Sequence, residues 1–183
     1  MTSSKRVGVV MGGTTGEREV SLRSGAAVAG ALERLGHEVV PVILGEGTDA
    51  FLAIAAADLD VAFLALHGRL GEDGCIQGLL ELMGIPYTGS SVLSSALAMD
   101  KLKAKEMFRL HNVPTPPYYT VEGPAAVEHI ADLHGCFGFP VVVKPRREGS
   151  SVGVSCAANM TELLAGLERA MAHDEAVIVE RFI

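Results

Sequence analysis

The chain has 183 residues, 49% hydrophobic and 20% charged, a globular composition with room for one large or two small domains. Its net charge of −7, from 15 basic and 22 acidic residues, lacks the basic surface of a nucleic-acid partner. No stretch approaches the roughly 18 apolar residues of a membrane helix, and the three scattered cysteines, Cys75, Cys136 and Cys156, argue against a disulfide framework or a zinc site. Unpaired thiols of this kind suit a reducing cytoplasm. The leading Met1-Thr2-Ser3-Ser4-Lys5-Arg6 runs into a strand without the apolar core of a secretion signal.

Val7–Met11 is an unbroken apolar run, as a strand buried on both faces requires, and ends in the loop Gly12–Glu19. A helix is predicted over Ser21–Leu35, with Ala27, Val28, Ala31, Leu32 and Leu35 on one face and Gly36 as its stop. Ser21 is placed to cap it, and the free amides of its first turn offer an anion site. Val39–Leu44 reads as a strand, Ala50–Ala57 as a helix and Val61–Ala65 as a third strand. This alternation predicts a parallel sheet with helices on both faces and ligands beyond the carboxyl ends of its strands. A second loop reaches that edge, His67–Gly74, where a histidine stands among three glycines and Arg69, Glu72 and Asp73. Then come a helix over Cys75–Met83, a short strand at Ile85–Thr88 and a helix from Gly89–Ser91 to about Met99.

A domain boundary is placed near residue 99, giving domains 1–98 and 99–183. Asp100–Leu110 is a helix with Leu102, Met107, Phe108 and Leu110 as apolar positions and its charged members on a solvated face. The prolines of Asn112–Tyr118 enforce extended chain. Strands at Tyr118–Val121, Pro140–Lys144, Val152–Cys156 and Ala176–Glu180, with helices at Ala125–Leu133 and Thr161–Ala172, predict antiparallel strands layered on helices. Asn159 or Thr161 caps the last helix, and the final strand is expected at an edge, exposing Val177 and Val179 and promoting association.

The second domain centres on Val141–Val154. A strand closes in Lys144, and Gly149 and Gly153 let the loop after it turn and approach a ligand closely. Successive N–H groups, with the Ser150 and Ser151 hydroxyls, can cradle an anion. An ordinary Gly/Ser turn is the alternative, and the lysine favours phosphate. No Gly-Lys-Ser/Thr ending marks a Walker loop, and no Gly-x-Gly-x-x-Gly follows the first strand. Arg146 and Arg147 read as loop charges.

Four motifs in order, Gly-Gly-Thr-Thr-Gly-Glu-Arg-Glu-Val-Ser at 12–21, Leu-His-Gly-Arg-Leu-Gly-Glu-Asp-Gly at 66–74, Met-Asp-Lys at 99–101 and Lys-Pro-Arg-Arg-Glu-Gly-Ser-Ser-Val-Gly at 144–153, resemble the D-alanine–D-alanine ligase family. These are ATP-grasp enzymes of peptidoglycan precursor synthesis. The resemblance implies a Rossmann-like, pre-ATP-grasp domain over 1–98. It implies an ATP-grasp N-terminal subdomain over 99–183, incomplete at its C-terminal end. In the family reaction ATP phosphorylates one D-alanine carboxylate, and the amine of a second D-alanine attacks the acyl phosphate. By resemblance, Glu17 pairs with the ammonium of the first D-alanine, with Val20 beside it and His67 near its carboxylate. Ser150 joins Glu17 in the catalytic set and reaches toward it. Lys101 and Lys144 contact the ATP phosphates, and Glu148, Gly149, Ser150, Ser151 and Val152 belong to the loop that closes over the γ-phosphate. Glu180 accepts from the adenine amino group beside the Ile183 backbone. The Mg²⁺ or Mn²⁺ ligands are expected in a C-terminal half that follows these residues in the family, so this chain is expected to be a fragment without the metal site and inactive alone. A homodimer is implied. A D-alanine–D-lactate ligase and a non-catalytic ATP- or D-alanine-binding module are the competing readings.

Overall fold

The chain divides into two compact units, Met1–Ala96 and Leu97–Ile183. The computed structural model describes residues 4–45, 47 and 49–183; the start of the leader, Met1–Ser3, lies outside the described residues.

In the first unit a parallel sheet of three strands runs in the order β2 (Glu38–Leu44), β1 (Arg6–Gly12), β3 (Val61–Leu64). β1 is the middle strand, with Val9 aligned to Pro41 on one side and Phe63 on the other. Covered on both faces, Val9 and Val10 are fully buried, which is why this strand is apolar without alternation. Helix α1 spans Arg18–Arg34, so it begins three residues before the sequence reading. Ser21 is therefore not a cap. Its buried hydroxyl donates to the Ala65 carbonyl (2.6 Å) and accepts from the Gly12 N–H (2.8 Å), joining the ends of two strands to the helix. The inward face is also rotated: Ser21, Gly25, Leu22, Val28 and Leu32 point to the core, while Ala27 and Leu35 are exposed. A Cβ at Gly25 would stand 2.6 Å from the Met11 sulfur, so glycine lets α1 lie against β1.

Helices α2 (Ala50–Ala57) and α3 (Cys75–Leu82) complete the core, with Ile54 and Leu80 fully buried. Ile85–Thr88 is not a strand; one parallel bridge joins Tyr87 to Ala62. Pro86 has no N–H to extend a ladder there, although its carbonyl accepts from Ala62 (2.8 Å). Helix α4 (Val92–Met99) follows.

The second unit opens with α5 (Lys101–Leu110), capped by Asp100, whose carboxylate accepts from the Leu102 and Lys103 amides. Its sheet has four antiparallel strands in the order β4 (Tyr118–Glu122), β7 (Ala176–Arg181), β5 (Val141–Pro145), β6 (Ser155–Ala157). The last strand in sequence is thus an inner strand, paired with β4 and β5. Val177, Ile178 and Val179 are fully buried, which corrects the expected exposed edge. Helix α8 (Met160–Met171) packs Leu163, Leu167 and Ala170 onto Val141, Val143 and Val179. Each of these leucine and valine side chains contributes about 1.5–3 kcal/mol on leaving water. Asn159, not Thr161, caps α8, accepting from the Glu162 N–H.

The helix predicted over Ala125–Leu133 is two short ones, α6 (Gly123–Glu128) and α7 (Ile130–His134), broken at His129. The second carries His134 into an aromatic cluster, where it stacks on Phe139 and its Nδ1 meets the Tyr119 hydroxyl at 2.8 Å. Burial pushes the Tyr119 hydroxyl up to about 12 and His134 below its ordinary value. Among the described residues no helix is long and apolar enough to cross a membrane.

Candidate functional site

At the carboxyl end of the parallel sheet, the loops after β1 and β3 lie together. Gly12 and Gly13 both take positive φ, and a Cβ at Gly12 would stand 2.3 Å from the Leu44 carbonyl, which only glycine avoids. Arg18, the first residue of α1, donates to that carbonyl (2.6 Å) and to Gly13 (3.1 Å), pinning the loop to β2. The His67–Gly74 loop is held by its own acids. Glu72 accepts from the Gly68 N–H (2.6 Å), and Asp73 accepts from Leu70 (2.9 Å) and Cys75 (3.1 Å). Burial opposes the Asp73 charge, but these donors outweigh it and keep its carboxyl below the usual range.

His67 Nδ1 lies 4.0 Å from Glu72, while its buried Nε2 has no hydrogen-bond partner among the described residues. The Glu17 carboxylate is close by: a Cβ on Gly68 would come within 3.1 Å of Glu17 Oε2. Val20 is an exposed apolar residue of α1. A cavity of about 250 Å³ opens here, lined by Gly13, Leu66, His67, Arg69, Leu70 and Ile76 among others. The geometry brings a carboxylate, an imidazole and a helix N-terminus to one sheet edge, the equipment for holding a small zwitterion.

In the second unit charge is gathered more tightly. Glu180 stands on β7 opposite Val142 of β5, and is buried. The Lys144 ammonium donates to its Oε1, and the Lys105 ammonium meets its Oε2 at 2.8 Å. Burial opposes the Glu180 charge, yet hydrogen bonds from Lys105 and Lys144 overcome it and hold the carboxyl below its ordinary value. Lys101, the first residue of α5, donates to the Glu148 carbonyl. Burial, then repulsion from Lys144, lowers its pKa, so the two ammonium groups share one neighbourhood.

Two readings of charge are corrected here. Leu102 and Met107 are half-buried and Lys103, Glu106 and Arg109 exposed, as expected of α5, but Phe108 and Leu110 are exposed whereas Lys105 is buried. Its ammonium is satisfied by acceptors that only the fold supplies. A signal was present: Lys101 and Lys105 are four apart and share a helix face. Arg146 is no loose loop charge either. It grips Asp100 with two parallel bonds (2.8 and 2.7 Å), fastening the start of α5 to the end of β5.

The loop after β5 turns differently from its expected form. Ser150 (φ 44°), Ser151 (φ 61°) and Gly153 (φ 68°) take the left-handed region, while Gly149 does not. Gly153 packs tightly, since a Cβ there would lie 2.8 Å from the Pro145 ring. Val152 donates to Gly149 (3.0 Å) and Val154 to Ser151 (3.2 Å), so Val152–Val154 is turn and β6 begins only at Ser155. Ser150, Ser151 and Val152 are exposed on this loop, and Ile183 is exposed just beyond β7.

Comparison with known proteins gives this arrangement a family. Residues 107–183 match the family model described as D-ala D-ala ligase C-terminus, and residues 49–90 match D-ala D-ala ligase N-terminus. The D-alanine–D-alanine ligase of Geobacter sulfurreducens is 52% identical over 178 residues, covering 97% of this chain. The chain belongs to the D-alanine–D-alanine ligase family. It spans about half the length of the curated relatives it matches, 55% in that case. Among solved structures, the D-alanine–D-alanine ligase of Bacillus anthracis superposes with a TM-score of 0.85 at 39% identity, covering 98% of this chain and 58% of that one. The same ligase complexed with ATP gives 0.82 at 37% identity, covering 98% and 60%.

Among the described residues no three His, Cys, Asp or Glu side chains converge to hold an ion. For ATP the donor set is apt, with ammonium groups for phosphate and a buried carboxylate for a base amine.

Proposed function

We propose that this chain carries the first-substrate and nucleotide sites of a D-alanine–D-alanine ligase, which joins two D-alanines through a D-alanyl phosphate at the expense of ATP. Residues 1–98 then form the N-terminal ligase domain and 99–183 the ATP-grasp subdomain, in a cytoplasmic homodimer that uses Mg²⁺ or Mn²⁺. The observation that carries the reading is the pairing of Lys105 and Lys144 with buried Glu180, with Lys101 near Lys144 and bound to the Glu148 carbonyl of a loop with exposed serines.

Phosphoryl transfer asks a protein mainly for positioning and charge neutralisation. Lys101 and Lys144 supply positive charge for the phosphates, and the loop of Glu148–Gly153 covers them. Glu180, held ionised, accepts from the adenine amine, with the Ile183 backbone beside the base. In the first unit Glu17 receives the ammonium of D-alanine. The α1 N-terminus and His67 face its carboxylate, and Val20 offers apolar surface to its methyl group.

Calorimetric titration tests this. ATP binds the chain, and Lys144→Ala weakens it at least about tenfold, the loss of one charge-assisted contact. D-alanine binds, and Glu17→Gln abolishes that without changing the ATP affinity. A folded chain with affinity for neither ligand would overturn the proposal.

A further inference from the structure

The two lysines that share Glu180 are not equivalent. Lys105 donates to Thr115 Oγ1 (2.6 Å) and the Pro116 carbonyl (3.1 Å) as well as meeting Glu180 Oε2 (2.8 Å). Three acceptors match the three N–H bonds of an ammonium, and the group also lies 4.9 Å from the centre of the Tyr118 ring. Its side chain is 9% exposed, and Glu180's is 11%. Lys144 is 21% exposed and, among the described residues, is bound to Glu180 Oε1 alone. One cation is locked in place; the other has a single partner and access to solvent.

A carboxylate this buried needs a cation to remain charged. If both lysines left for phosphate, Glu180 would take up a proton and gain an O–H donor beside its remaining carbonyl acceptor. It would then pair with a 6-carbonyl as well as with a 6-amine and lose its selectivity.

We propose that Lys105 is a positioning residue, a fixed counter-cation that keeps Glu180 ionised and oriented, so that Lys144 leaves Glu180 for a nucleotide phosphate while Glu180 goes on selecting a purine with a 6-amino group. The inference rests on the nucleotide site proposed above. Lys105 need not touch the nucleotide; it acts through Glu180.

The test is the affinity ratio of ATP to ITP, which bears a 6-carbonyl, measured calorimetrically on the chain. The parent favours ATP by about tenfold or more, the worth of a matched against a mismatched buried hydrogen bond. Lys105→Met lowers that ratio to about threefold or less, and Lys105→Arg, which keeps the charge, recovers part of it. In Lys105→Met the residual ratio falls further on acidification through the ordinary carboxylate range, while the parent's holds. A merely structural lysine would weaken both nucleotides by one factor and leave the ratio alone. Lys144→Met supplies an independent arm should Lys105→Met not fold: it weakens both nucleotides and preserves the ratio. A folded Lys105→Met with the parent's ratio, or a Lys144→Met that abolishes the ratio, overturns this inference and leaves the nucleotide site standing. A parent without affinity for ATP removes that site and the inference with it.

Discussion

The two units hold their charges in opposite ways. In the first, Glu17, His67, Glu72 and Asp73 sit on glycine-rich loops at a sheet edge, and backbone N–H groups anchor Glu72 and Asp73. In the second, Glu180 stands inside a sheet and is anchored by the ammonium groups of a helix and a neighbouring strand. The first arrangement costs little to assemble, because its carboxylates stay near water and ask only for amides. The second ties the stability of the unit to the pairing of buried charges, and so fixes the direction of its carboxylate before any ligand arrives.

That contrast is easiest to break at Glu180. Glu180→Ala strands two partly buried ammonium groups, and the expected loss is about 3–5 kcal/mol in the unfolding free energy of the second unit. Denaturant titration measures it; a loss under about 1 kcal/mol would mean the pair is solvated. Ser21→Ala comes next. It leaves the Ala65 carbonyl and the Gly12 amide without their buried partner, a cost of about 1–3 kcal/mol to the first unit in the same assay. Glu72→Ala removes one bond to a backbone amide from a half-exposed carboxylate and costs only about 1 kcal/mol. The ratio of the Glu180 to the Glu72 effect is the comparison in numbers.

Acid sharpens it further. Glu180 has its pKa lowered on folding, so its stabilising contribution is complete above the ordinary value of 4.5 and is lost as pH falls through the folded value. His134 is lowered from 6.5 by burial, so the unfolded chain binds its proton first. Stability of the second unit therefore also slips as pH drops below 6.5. Thermal melts between pH 7 and 5 should show that loss, and His134→Phe should remove it.

Much of this architecture was legible from local pattern. Val7–Met11 and Val141–Val143 are apolar runs too short for helices, and β2, α2 and α8 came within a residue or two of their observed ends. What was hidden depends on partners distant in sequence. β7 looks like an edge until β4, about sixty residues earlier, pairs with Tyr118 opposite Glu180. Ser21 looks like a cap because its acceptor, Ala65, lies 44 residues away. Lys105 looks solvated because Thr115, Pro116 and Glu180 are brought to it only by the fold. Of the candidate site, residue types were readable and their dependence on one another was not. Lys144 and Glu180 each suited a nucleotide, but nothing in the sequence paired them or gave Glu180 a second cation.

Backbone amide NMR titrations decide whether the buried charge cluster of the second unit is a nucleotide site, separate in kind from the loop site of the first. Addition of ATP should shift the amides of Lys144–Gly153 and Glu180–Ile183, and addition of D-alanine alone should shift those of Gly12–Val20 and His67–Gly74. Saturating ATP that leaves Lys144–Gly153 and Glu180–Ile183 unmoved in a folded chain would mean that the cluster is not a nucleotide site.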